Sequence, residues 1–164
     1  MPDKREEALS DIQRAIRIVR QQSNSNNGKI GVLGFSAGGS LCVNAAIRFN
    51  EVTYPKTDII DSFSCRPDFA MLIYPAYLDE GENKSLTPSL RITNNTPPVF
   101  IFQTADDVYG NSALVMTSAL REKRIPVELH ILPKGGHGYG LRPGNIAAET
   151  WPQLAERWLR NLHD

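Results

Sequence analysis

The chain alternates between segments with apolar residues at helical spacing and short, continuously apolar runs. An amphipathic helix is predicted for residues 4–21, where apolar residues recur every three or four positions. Four apolar runs follow, at residues 29–35, 69–74, 99–104 and 127–132. Uninterrupted runs of this length are typical of strands that are buried on both faces of a parallel sheet.

Helical patterns separate these runs. They cover residues 38–49, 111–123 and a terminal stretch at 151–162, where Thr150 is the expected N-cap and Pro152 lies in the first turn. Strands that alternate with helices predict an α/β fold, a mostly parallel sheet with helices on both faces. The 164 residues are the length of one domain, so residues 1–164 are expected to share a single core.

Two connections, residues 50–68 and 77–98, are longer and rich in polar, proline and glycine residues. Loops of that length in compact domains are usually functional. Ligands of open α/β sheets bind at the carboxyl ends of the strands, so we expect both segments to lie near that edge.

The composition of the chain gives no reason to expect binding to nucleic acid or to a membrane. The 18 basic and 18 acidic residues give zero formal charge, which offers no long-range attraction to nucleic acid or to an anionic membrane. No apolar run approaches the roughly 20 residues that cross a bilayer. The N-terminus as written has no signal peptide, so a cytoplasmic location is expected unless a missing N-terminal segment directs secretion.

Cys42 and Cys65 suit neither a disulfide framework nor a zinc site and are expected to be buried thiols.

The sequence Gly-x-Ser-x-Gly, from Gly34 to Gly38, lies between a predicted strand and a predicted helix. A sharp turn there would expose the hydroxyl of Ser36, as a serine nucleophile requires. Gly34 and Gly38 are expected to be needed because side chains at these positions would strike the neighbouring strand and helix. The amide of Ala37, at the start of the helix, would be one oxyanion-hole donor.

A serine nucleophile also needs a base, and the chain has three histidines. His163 is at the extreme C-terminus, where fraying is expected. His130 alternates within a predicted strand, which favours a structural or half-exposed role. His137 lies between glycines just beyond that strand, in KGGHGYG. Because such a loop can bring an imidazole over the sheet edge, His137 is the predicted base.

The acid that orients the histidine should follow a strand and precede the histidine in sequence. The run at residues 99–104 leads into two adjacent acids, Asp106 and Asp107. Neighbouring side chains at a strand end point in opposite directions, so only one of them can face the imidazole. We expect it to be Asp106, the first acid beyond the strand, with Asp107 as the alternative.

These motifs resemble those of α/β-hydrolases of the acetyl esterase/lipase type, in particular the acetylxylan- and feruloyl-esterase-like enzymes. The shared sequences are GFSAGG, YPAY at residues 74–77, the Asp-Asp-Val step and the histidine loop. The resemblance implies an α/β-hydrolase fold and a serine hydrolase of small carboxylic esters, including acetyl groups on sugars, with no cofactor and no metal. It extends to the prolyl oligopeptidase family, whose first aspartate of two is catalytic, and this supports Asp106.

The chain departs from that family at its N-terminus. Family members begin with several strands ahead of the first helix seen here, and a His-Gly-Gly loop in that part supplies further oxyanion donors. No such loop precedes Ser36, so the resemblance implies that the N-terminal half of the fold is lacking. Because a lost oxyanion donor costs roughly 10² to 10³ in rate, weak or absent activity is expected of the isolated chain. The strand before Ser36 would become an open apolar edge.

Two other functions stay open beside ester hydrolysis. A serine peptidase of the prolyl oligopeptidase kind would use the same residues, although those enzymes usually carry a gating domain that is not visible here. An inactive remnant would keep the residues without the activity. Phe35, Tyr77 and Tyr139 are candidates for lining a substrate pocket, but aromatic residues in such places more often pack in the core.

Overall fold

The computed structural model describes residues 4–23 and 28–162, so His163 lies outside the described residues. Within them, helices and strands follow in the order α1 (Lys4–Ser23), β1 (Gly31–Phe35), α2 (Ala37–Ile47), β2 (Phe69–Ile73), β3 (Val99–Thr104), α3 (Asn111–Glu122), β4 (Val127–Leu132) and α4 (Ile146–Asn161). Two short 3₁₀ turns, Ile59–Ser62 and Glu82–Lys84, lie in the connections before and after β2.

The strands form one parallel sheet in the spatial order β1-β2-β3-β4. The register pairs Phe35 with Ile73 and Thr104 with Leu132, so the strands end together at one edge. The predicted α/β fold with a parallel sheet is therefore confirmed. Residues that follow the strands, Ser36 and Tyr74 among them, are brought to a common edge.

Helices cover both faces of the sheet. On one face α1, α2 and α3 pack against the strands, through residues such as Ile16, Val43, Met116, Leu72 and Ile101. On the other face α4 packs through Trp151, Ala155 and Trp158 against Phe100 and Phe102. The two central strands, β2 and β3, are thus buried on both faces, as their continuous apolar runs predict.

The two outer strands are less buried than predicted. Among the described residues β1 pairs with β2 alone and β4 with β3 alone. Leu33 on β1 and Ile131 on β4 are each 44% exposed, because an edge strand has a neighbour on one side only. Within residues 4–23 and 28–162, the strand before Ser36 is therefore an edge strand with one exposed apolar residue, Leu33.

The terminal helix begins at Ile146 rather than at residue 151. Its N-cap is Asn145, whose side chain accepts hydrogen bonds from two amides of the first turn, whereas the hydroxyl of Thr150 donates to the carbonyl of Ile146. Thr150 was therefore the wrong cap, and Pro152 lies inside the helix. The predicted start at residue 151 is wrong because proline favours the first turn of a helix but is not confined to it. A helix that tertiary packing holds in place can also accommodate a proline farther along, as it does Pro152.

Residues 50–68 lie at the opposite edge of the sheet from the one expected. Since α2 starts at the carboxyl end of β1 and returns the chain to the amino end of β2, the segment that follows it is at the amino edge. The amide of Asp68 donates to the carbonyl of Ile30, just before β1. The segment at 77–98 does begin at the carboxyl edge, where β2 ends.

Candidate active site

Ser36 occupies a strained bend between β1 and α2. Its backbone has φ 54° and ψ −120°, a region that costs a non-glycine residue about 1–3 kcal/mol and is found where the surroundings enforce it. The amide of Ser36 donates to the carbonyl of Ile73 (3.1 Å), and its carbonyl accepts from the amides of Gly39 (2.9 Å) and Ala76 (3.2 Å). These bonds hold the hydroxyl at the carboxyl edge of the sheet.

The close approach expected at this bend is present at Gly34 and absent at Gly38. A Cβ on Gly34 would lie 2.1 Å from the carbonyl oxygen of Gly38, whereas a Cβ on Gly38 would have nothing within 4 Å. The expected clash at Gly38 was wrong because its missing side chain would point away from the strand. Gly39 is tighter, since its Cβ would be 3.0 Å from that of Pro75.

The imidazole of His137 lies between the serine and a carboxylate. Its Nε2 is 2.7 Å from Oγ of Ser36, and its Nδ1 is 2.7 Å from Oδ2 of Asp107. The Asp107 side chain has no exposed surface, and that of His137 is 27% exposed. The second carboxylate oxygen of Asp107 accepts from the amide of Tyr109 (2.9 Å). The structure therefore joins three side chains in one hydrogen-bonded series.

The contact predicted for Asp106 is made by its neighbour. Asp106 is exposed and its carboxylate accepts hydrogen bonds from the amides of Gly136 (2.9 Å) and Gly135 (3.3 Å). These bonds, above all the one from Gly136, lower the pKa of Asp106. The chain turns after Ala105, so that the second aspartate, and not the first, points at the imidazole. Asp106 instead fastens the loop that carries His137.

That loop uses glycine at both sides of the histidine. Gly136 and Gly138 have φ values of 68° and 74°, in the left-handed region that a side chain disfavours. The hydroxyl of Thr104, the last residue of β3, donates to the carbonyl of Gly136 (2.8 Å). The end of a buried strand thereby positions the loop and His137 within it.

Two tyrosines that the sequence argument did not select flank the imidazole. The ring of Tyr109 is 4.8 Å from that of His137, and the ring of Tyr74 is 5.0 Å away in an edge contact. The hydroxyl of Tyr74 accepts from the amide of Gly140 (3.1 Å), and burial raises its pKa. The position of Tyr74 directly after a buried strand was the available signal, because strand ends form this edge.

Ala37 is the first residue of α2, so its amide has no acceptor within the helix. Ala37 is exposed and, with Gly38 and Tyr77, lines a cavity of about 830 Å³. Of the three candidate aromatic residues, Tyr77 reaches this cavity. Tyr139 is buried in the core and Phe35 packs against Trp151.

Other candidate residues are structural. His130 pairs with Glu128 (2.6 Å) and packs on Phe100, which confirms its structural role. Cys42 and Cys65 are buried free thiols, and burial raises the pKa of Cys42 to about 12. Across residues 4–23 and 28–162 no group of three or more His, Cys, Asp or Glu side chains is placed to hold a metal ion. No helix in that part of the chain is both long and apolar enough to cross a membrane.

A parallel sheet with helices on both faces, and a serine on the strained turn after one strand that meets a histidine after the last strand, defines the α/β-hydrolase class. Comparison with known families agrees with this geometry. The Dienelactone hydrolase family matches residues 1–160, and the chain belongs to that family.

Individual relatives are longer than this chain. It is 32% identical to endo-1,4-beta-xylanase B of Butyrivibrio fibrisolvens, over 79% of the chain and 24% of the relative. It is 27% identical to the acetylxylan esterase of Xylanibacter ruminicola, over 94% of the chain and 34% of the relative. The crystal structure of the acetyl ester-xyloside bifunctional hydrolase from Caldicellulosiruptor lactoaceticus is similar with a TM-score of 0.79 and 34% identity, covering 94% of this chain and 65% of that one. The chain thus spans a quarter to a third of the curated relatives.

Proposed function

We propose that the protein is a carboxylic ester hydrolase that acts on small acyl esters, acetyl esters of carbohydrates among them. Ser36 is the nucleophile, His137 the general base and Asp107 the acid that orients it. The observation that carries this proposal is the unbroken hydrogen-bonded series from Ser36 through His137 to Asp107, with both distances at 2.7 Å. Asp106 takes the supporting role of anchoring the histidine loop.

In the acylation step Nε2 of His137 accepts the hydroxyl proton as Oγ of Ser36 attacks the ester carbonyl carbon. When the bond from that carbon to the alcohol oxygen breaks, the imidazolium returns the proton to the leaving alkoxide. Water then attacks the acyl-enzyme, with His137 again as base, and releases the carboxylic acid and free Ser36. The carboxylate of Asp107 accepts a hydrogen bond from the N–H at Nδ1 of His137 and stabilises the imidazolium.

The negative charge that develops on the carbonyl oxygen needs a hydrogen-bond donor. The amide of Ala37 is suited to this role, because it follows the nucleophile and opens α2, where it has no acceptor within the helix. Each oxyanion donor contributes roughly 10² to 10³ in rate.

The choice of ester rests on relatives as well as on the geometry. One curated relative is named an acetylxylan esterase, and a similar solved structure is named an acetyl ester-xyloside bifunctional hydrolase. A hydrogen-bonded serine nucleophile suits acyl transfer from such esters, since an alkoxide is an easier leaving group than an amine.

The test is fluorophosphonate labelling and turnover of p-nitrophenyl acetate by the full chain. We expect labelling of the wild type and loss of both labelling and turnover in Ser36→Ala. Ser118→Ala, an exposed serine on α3, is the matched control and should react like the wild type. Equal labelling of the wild type and Ser36→Ala, or no labelling of either, would overturn the proposal.

A further inference from the structure

The loop that carries His137 restrains the imidazole little by itself. Glycine gives the backbone more conformational freedom than other residues do, and Gly136 and Gly138 stand on both sides of the histidine. The hydrogen bonds that Asp106 and Thr104 make with this loop reach the backbone before the histidine and not its side chain. The position of the imidazole must therefore be set by contacts of the side chain itself.

Hydrogen bonds alone do not hold the imidazole through the whole of the proposed reaction. In the structure it contacts Oγ of Ser36 and the carboxylate of Asp107, both at 2.7 Å. Once Ser36 carries an acyl group, its oxygen has no proton to share with Nε2, so of these two hydrogen bonds only that to Asp107 remains. Because His137 must then activate a water molecule, the rings packed against it matter most at that stage.

Tyr109 touches both the acid and the base. Its amide donates to Oδ1 of Asp107 (2.9 Å), while the other oxygen of that carboxylate faces the imidazole. The centre of its ring is 4.8 Å from that of His137, and the two planes are inclined by 56°. Favourable aromatic pairs have their centres about 4.5–7 Å apart. One residue thus contacts the acid through its backbone and the base through its side chain.

The ring of Tyr109 is itself supported. Its centre is 5.4 Å from that of Tyr77, and a hydrogen bond with Tyr77 raises the pKa of Tyr109. The backbone is fixed too, since the carbonyl of Tyr109 accepts from the amide of Ser112 in α3 (3.0 Å). A ring that is held at both its backbone and its hydroxyl can restrain the imidazole beside it.

Tyr74 makes the second aromatic contact with the imidazole but is part of the core. It is 4% exposed, and its ring centre is 4.4 Å from that of Tyr139. Removal of its ring would leave a cavity in the core and destabilise the fold. Tyr109 lies in the turn before α3 and is only partly buried, so its ring can be removed without emptying the core.

We propose that Tyr109 is a positioning residue for the base, and that its ring keeps the imidazole of His137 aligned while the proton moves between oxygen atoms. The inference rests on the proposed function, because it concerns the base of the same reaction. It adds a residue from outside the hydrogen-bonded series to those that determine the rate.

The experiment removes the ring and then restores it. Tyr109→Leu keeps the amide that binds Asp107 and loses the aromatic contact. The kcat for p-nitrophenyl acetate and the rate constant of fluorophosphonate labelling should both fall by about three- to tenfold, while KM stays within about twofold of the wild type. Tyr109→Phe restores the ring and should react within about twofold of the wild type. Val108→Ala, an exposed neighbour in the same turn, is the matched control and should equal the wild type.

A second comparison tests whether the ring acts through the base. When residues act as a unit, loss of a second member costs little more than loss of the first. In an Asp107→Asn background, Tyr109→Leu should therefore slow turnover by no more than about twofold. A loss as large as in the wild-type background would show that the ring acts independently of the base. A raised KM with unchanged labelling would show that it contacts the ester instead, and either result contradicts the proposal.

Labelling of the wild type at Ser36 separates the two proposals. If the wild type is labelled and Tyr109→Leu reacts as fast, or if Tyr109→Phe is as slow as Tyr109→Leu, the role of the Tyr109 ring alone is overturned. A wild type that is neither labelled nor active overturns the proposed function and this inference with it.

Discussion

Two adjacent carboxylates after β3 have different surroundings although they are one position apart. Asp107 is buried against the imidazole, while Asp106 is exposed and binds the backbone of the loop beyond it. In the proposed mechanism Asp107 acts directly on the base, by orienting His137 and stabilising its positive charge. Asp106 acts only by holding the loop that carries His137.

Substitution of these two residues by asparagine should separate the roles. Asp107→Asn should lower kcat/KM by about 10³- to 10⁴-fold, because an amide can favour the wrong tautomer of His137. Asp106→Asn leaves the contact of Asp107 with Nδ1 in place and can still accept from one of the two glycine amides, so we expect a loss of no more than about tenfold. Steady-state kinetics on p-nitrophenyl acetate measure both, and a larger loss in Asp106→Asn would reverse the assignment.

At the scale of the elements, the turn between β1 and α2 depends on one glycine more than on the other. The carbonyl of Gly38 occupies the place where a side chain of Gly34 would be. The helix can therefore lie close to the strand only while residue 34 has no Cβ. A Cβ on Gly38 would have no neighbouring atom within 4 Å.

Gly34→Ala should destabilise the protein by about 1–3 kcal/mol, as overpacking does in a well-packed core. Gly38→Ala is the matched control and should hold or raise stability by up to about 1 kcal/mol, because alanine favours a helix. Thermal unfolding followed by circular dichroism measures both. Equal melting temperatures for the two variants would contradict the steric argument.

The start of α4 offers a second element-scale test. Asn145 caps the helix and also donates to the carbonyl of Gly135 in the histidine loop (3.0 Å). Asn145→Ala should therefore cost about 1 kcal/mol of stability, and Thr150→Ala, the cap expected from the sequence, should cost less. Chemical denaturation compares the two. A greater loss of stability in Thr150→Ala than in Asn145→Ala would favour Thr150 as the cap of a helix that begins at residue 151.

At the scale of the whole molecule, α1 is attached to the rest through a buried carboxylate. Asp61, in the first 3₁₀ turn, accepts hydrogen bonds from Arg14 (2.8 Å), from the hydroxyl of Tyr54 (2.6 Å) and from the amide of Thr57 (2.8 Å). The bond from Thr57 and that from Tyr54 hold the pKa of Asp61 well below its ordinary value. This network links the first helix to residues 50–68 at the amino edge.

The lowered pKa makes this attachment sensitive to acid. A carboxylate with a lower pKa in the folded state contributes stability above its ordinary pKa of about 4, and the contribution is lost as the pH falls further. Asp61→Asn should lower the melting temperature at pH 7 and flatten its decline below about pH 4. Asp11→Asn, exposed on α1, is the control, and an equal acid slope in the wild type and Asp61→Asn would contradict the prediction.

The sequence pattern predicted the four strands and also part of the site. Ser36 and His137 were selected from their glycine neighbours and their positions after strands, and the structure brings them together. Asp107 was only the alternative to Asp106, and Tyr74 and Tyr109 were not selected. Their roles depend on the direction of the chain after a strand and on which rings meet across the edge, and neither has a periodic signal in the sequence.

The sequence by itself determined the α/β class, the buried central strands and the turn that exposes Ser36, because burial and backbone conformation depend on local residue types. Only the tertiary structure decided which carboxylate meets His137, which glycine is crowded, and that residues 50–68 lie away from the site. Those outcomes depend on distances between segments far apart in the chain. Such distances are set by packing of the whole sheet and its helices.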